Sequence, residues 1–61
     1  MLLGDYLVKH NIEQQTFAAS IGVNASSVCR WLTGERTPRA AQAKKIVAAT
    51  DGRVTLKDIF G

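Results

Sequence analysis

QQTFAASIGVNASSVCRW, residues 14–31, decides the fold of this 61-residue chain. Phe17, Ala18 and Ile21 share one face of a short helix, predicted over about 14–21. Gly22 comes next, where a left-handed backbone is cheap only without a side chain. Val23 supplies an apolar plug for the turn, and Asn24 is a good N-cap for a second helix. That helix, over about 25–33, turns Val28, Trp31 and Leu32 inward and ends at Gly34. Two helices joined by so tight a turn make a rigid corner that can present the second of them to a groove of DNA.

The rest of the chain supplies the packing partners of such a corner. Leu3, Tyr6 and Leu7 predict a first helix over about 3–10, with Asn11 as its stop and Ile12 turning inward after it. Pro38 fits the first position of a fourth helix over about 38–50, with Thr37 as its cap. Ala43, Ile46, Val47 and Thr50 would then line one side, and Ala40 would fill closer packing space. Asp51–Gly52 marks a turn, Val54 returns to the core, and Thr55 and Asp58 have the spacing of a capping box. One or two last helical turns would bury Leu56, Ile59 or Phe60. The expected fold is all-α, a compact bundle of about five short helices, with residues 1–61 forming a single domain.

A chain this short buries roughly 60% of its unfolded surface, so its stability is expected to be marginal. One cysteine excludes an internal disulfide, and Cys29 with His10 cannot build a structural metal site. Cys29 is expected to be a small packing residue between the two surfaces of its helix. No apolar run approaches the length of a membrane span, and no signal-like segment opens the chain. The expected location is cytoplasmic, with no membrane partner.

Eight Lys/Arg against five Asp/Glu give a net charge of +3, ordinary for a small domain. The distribution is more telling. Arg30, Arg36, Arg39, Lys44 and Lys45 fall within 16 residues that hold one acidic residue, Glu35. Positive charge is therefore concentrated in and after the second helix of the corner, where a phosphate-facing surface would be useful.

The outward face of that helix has matching chemistry. Ala25 suits a thymine methyl, Ser26 can exchange hydrogen bonds with a base edge, and Arg30 can reach guanine O6 and N7. No large side chain at 25 or 26 blocks approach to the groove floor. Backbone contacts would position the helix before base contacts discriminate. Gln14 stands at a helix start, where amide and backbone N–H groups can face phosphate. Asn24, Ser27, Arg36 and Arg39 are the further phosphate candidates, Lys44 and Lys45 being equally well read as a solvated surface.

These residues resemble the helix-turn-helix domains of phage Cro and repressor proteins, the lambda-repressor-like domains of the xenobiotic-response-element superfamily. The match centres on residues 14–38, and the segment 49–59 is similar to the end of short Cro-like or YdaS-like regulators. The resemblance implies a homodimer on double-stranded operator DNA of approximate two-fold symmetry, with the helix over 25–33 in the major groove. It implies Ala25, Ser26 and Arg30 at reading positions, Gln14 at a phosphate or outer base, and Ser27 towards the backbone. Many relatives carry glutamine or another long polar residue where this chain has Ala25 and Ser26, which shifts polar discrimination onto Arg30.

The expected function is a Cro-like transcriptional repressor, with dimerisation either before or only upon DNA binding. The segment Glu35–Thr37 and the stretch 54–60 are candidates for the dimer surface. No effector module or cofactor is expected. An antitoxin-type autoregulator is an alternative within the same class. A helical protein-interaction module is the alternative outside it, and a contiguous apolar patch of Leu32, Val54 and Phe60 would favour that reading. An enzyme is not expected, because His10 and Cys29 belong to different elements and Asp51 and Asp58 are too isolated for a metal or acid–base pair.

Overall fold

The computed structural model describes residues 1–60, which form five helices: α1 (Leu3–Lys9), α2 (Gln14–Ile21), α3 (Ala25–Thr33), α4 (Ala40–Ala49) and α5 (Leu56–Phe60). Among the described residues there is no strand. α2 and α3 have the bounds that Gly22 and Gly34 predict, and both glycines lie in the left-handed region, at φ 73° and 82°. After α2 the Val23 N–H donates to Ala18 O and the Gly22 N–H to Ala19 O. That is a Schellman ending, which satisfies carbonyls a helix otherwise leaves open. The same pair of bonds closes α1, where Asn11 (φ 53°) takes the glycine's place and Ile12 donates to Leu7 O. It closes α4 as well, where Asp51 (φ 55°) does so and Gly52 donates to Val47 O.

These endings turn the chain sharply enough to fold all five helices over one core. Leu7, Phe17, Ala18, Ile21, Val28, Ile46 and Val54 form its buried cluster. Leu3, Tyr6, Ile12, Val23, Trp31, Leu32 and Ile59 pack around it as partly buried neighbours. Ala18 is 1% exposed and Ala43 is fully enclosed. Small side chains at such positions let helix backbones approach closely, and anything larger would overpack them.

Several expectations about packing are corrected. α4 starts at Ala40 rather than Pro38, and its cap residue is Arg39, not Thr37. Pro38 is itself buried ahead of the helix, and the Gln42 side chain accepts the Arg39 N–H at 3.0 Å. Local turn chemistry at Gln42 thus moves the start two residues on. Ala40 is exposed and fills no packing space. Cys29 is exposed too, because α3 meets the core along the Val28–Trp31–Leu32 side. Of the three apolar residues of α5, Ile59 is partly buried while Leu56 and Phe60 are exposed.

The Thr55–Asp58 capping box is present in both directions. The Thr55 N–H donates to Asp58 Oδ2 at 3.0 Å, and the Asp58 N–H to Thr55 Oγ1 at 3.2 Å. The Met1 ammonium lies 2.6 Å from the same Asp58 Oδ2 and also donates to Arg53 O. Ammonium, Thr55 N–H and Thr55 side chain together lower the Asp58 carboxyl to about 2, since each favours the ionised form. The start of the chain is thereby tied to the start of α5.

Candidate nucleic-acid interface

α3 is fixed from beneath by Val28, which is completely enclosed, with Trp31 and Leu32 partly buried beside it. This anchoring leaves Asn24, Ala25, Ser26 and Arg30 exposed and Ser27 partly so. The N-terminal turn of α3 therefore offers only small side chains, and Arg30 stands one helical turn after Ser26. A helix with that profile has the shape to approach a groove floor closely, with one long cationic donor able to reach base edges.

The Asn24 side chain makes no capping hydrogen bond, contrary to the role expected of it. Its residue still holds the cap position in extended conformation, with its carbonyl accepting the Ser27 and Val28 N–H groups. The amide is consequently free to meet an outside partner.

The turn after α3 folds back over the helix's last residues. Gly34 takes the left-handed conformation, and the Arg36 N–H donates to Arg30 O at 3.2 Å. A polar hollow of about 220 Å³ opens there, lined by Ser27, Arg30, Trp31, Arg36, Thr37, Arg39 and Gln42. Four of the residues singled out from the sequence, Ser27, Arg30, Arg36 and Arg39, thus share one concave surface. Three guanidinium-bearing residues around it make a cationic cradle of the kind that suits phosphate oxygens.

Gln14 is not part of this surface. It opens α2, is exposed, and lines a separate hollow between α1 and α2 with Gln15, Glu13 and Asn11. Glu13 is the cap residue of α2, and its side chain makes no capping bond. An acidic residue thus adjoins the helix start at which Gln14 is the phosphate candidate, a competitor that periodicity and capping rules do not bring out. Lys44 and Lys45 are exposed on α4 and line neither hollow.

Glu35 joins the surface although sequence reasoning did not place it there. Its Oε2 is 3.8 Å from Arg30 Nε, with both side chains more than half exposed. The signal was in the sequence: Glu35 is the sole acidic residue between Gln14 and Thr50.

The apolar patch that would favour a protein partner does not form as expected, because Val54 is 1% exposed and belongs to the core. Among the described residues no helix is long and apolar enough to cross a membrane. Residues 3–56 match a family model described as helix-turn-helix. No curated protein and no solved structure matches the chain.

Proposed function

The chain belongs to the helix-turn-helix family, a family of DNA-binding regulators, and from that premise we propose that it is a sequence-specific repressor of the Cro type. In this reading it binds a pseudo-palindromic operator as a dimer, with α3 in the major groove of each half-site. Ala25, Ser26 and Arg30 read bases. Asn24, Ser27, Arg36 and Arg39 hold the flanking phosphates, and Gln14 meets the backbone from the start of α2.

The observation that carries this reading is the outer face of α3: small exposed residues at its N-terminal turn, then Arg30 beside a hollow bordered by Arg36 and Arg39. Phosphate contacts supply affinity that is lost with salt, while the arginine supplies discrimination. Repression results from occlusion, since a protein seated in the major groove across a promoter blocks access by polymerase.

Selection from a randomised duplex library, then titration of the selected site at two salt concentrations, tests the proposal. A symmetric motif whose affinity falls with salt supports it; failure to enrich any sequence and no binding at low salt would overturn it. Within the selected site, Arg30→Ala is expected to cost about 1–3 kcal/mol of preference for guanine at one position of each half-site. An equal loss on operator and scrambled DNA would reassign Arg30 to phosphate.

A further inference from the structure

We infer that Glu35 is a specificity-determining positioning residue, which holds Arg30 by its Nε edge for base reading and withdraws it from phosphate. The inference rests on the base-reading role proposed for Arg30.

The geometry has two parts. Gly34 in the left-handed region and the Arg36 N–H bonded to Arg30 O fold the turn back, which sets Glu35 against the side chain of Arg30. The carboxylate then approaches Nε at 3.8 Å. An ion pair on the Nε side leaves the terminal Nη groups of the guanidinium to donate to a base edge, where the paired acceptors of guanine are met by two parallel donors.

Charge points the same way. Arg30, Arg36 and Arg39 line the hollow, and among the described residues Glu35 is the one carboxylate paired with any of them, through Arg30. A phosphate responds to net charge, and the Arg30–Glu35 pair has none. A guanine edge responds to aligned N–H donors, which the pair keeps. Glu35 therefore weakens sequence-independent binding more than it weakens guanine recognition, and the ratio of the two rises. The pair is exposed, so salt screens it and its influence is greatest at low ionic strength.

The test compares wild type, Glu35→Gln, Arg30→Ala and the double variant on three duplexes. These are the operator selected by the wild type, the same operator with its Arg30-dependent guanine replaced, and a scrambled sequence. In the wild-type background, Glu35→Gln is expected to tighten binding to scrambled DNA about two- to fivefold at low salt and to lower the guanine preference by a similar factor. The salt slope should steepen by up to about 0.9, the equivalent of one added phosphate contact. In the Arg30→Ala background the same substitution should leave base preference unchanged, a coupling that a merely structural role for Glu35 would not produce. Equal guanine preference in wild type and Glu35→Gln, or a decline that persists without Arg30, overturns the inference while the proposed function stands. Absence of any DNA binding by the wild type overturns both.

Discussion

Thr50 shows how much a single hydroxyl can do in a core this small. It is the one polar side chain among the described residues that is fully enclosed. Its Oγ1 donates to Ile46 O at 2.8 Å and accepts the Val54 N–H at 3.2 Å. The first bond lies within the end of α4, and the second fastens the return that brings Val54 into the core. Thr50→Val keeps the shape but leaves the Val54 N–H buried without an acceptor, and an unmade buried bond costs about 1–3 kcal/mol. Urea denaturation should show the midpoint falling accordingly, with Thr50→Ser retaining more stability than the valine variant. The periodicity of α4 placed Thr50 on the inward side; it did not reveal that the hydroxyl would serve the next loop. Cys29 marks the converse failure. It lies beside Val28 in sequence, but which side of α3 is covered depends on how α2 packs against it, and Cys29 is left outside.

Helix boundaries were legible wherever a backbone conformation demanded a particular residue. Gly22 and Gly34 end α2 and α3 because positive φ is costly with a side chain. Asn11 and Asp51, the non-glycine residues at positive φ, are the types that tolerate it best. The start of α4 differs from the sequence expectation because Thr37–Pro38 has the right chemistry two residues too early, whereas Pro38 is buried and the Arg39 N–H bonds to Gln42. The candidate site divides in the same way. The exposure of Ala25, Ser26 and Arg30 was implied by the inward stripe of α3, whereas the hollow that gathers Ser27, Arg36 and Arg39 depends on a turn geometry no periodicity encodes. For α5, five residues are too few to hold a helix by propensity, so its cap and the tie to Met1 matter. Asp58 has a lowered folded-state pKa, about 2 against an ordinary 3.8. Its contribution to stability is therefore complete above the ordinary value and lost as pH falls through the folded one. Chemical denaturation of wild type and Asp58→Asn should differ at pH 6, and the difference should shrink between pH 4 and pH 2. A gap that stays constant across that range would show that ionisation of Asp58 is not what anchors α5.

At the scale of the whole molecule, size constrains how DNA can be read. The Cα trace measures 23 × 21 × 19 Å, whereas successive major-groove faces on one side of a duplex are about 34 Å apart. One copy can therefore enter one half-site but cannot span two, and reading a full palindrome requires a second copy. The proposed dimer needs an apolar surface that is not already spent on the core. Val54, one member of the segment expected to supply it, is excluded by burial, but Leu56 and Phe60 are 46% and 53% exposed, one helical turn apart on α5. Because neither belongs to the buried cluster, replacing both with serine should lower the thermal midpoint only modestly and leave the fold intact. Binding of the Leu56→Ser/Phe60→Ser variant to an isolated half-site should equal that of the wild type. On the full palindrome the two proteins should part: the wild type binds cooperatively, while the variant fills the half-sites independently, with a loss of about tenfold or more in apparent affinity. Retained cooperativity in the variant would move the dimer contact to another surface, with the turn at Glu35–Thr37 next in line.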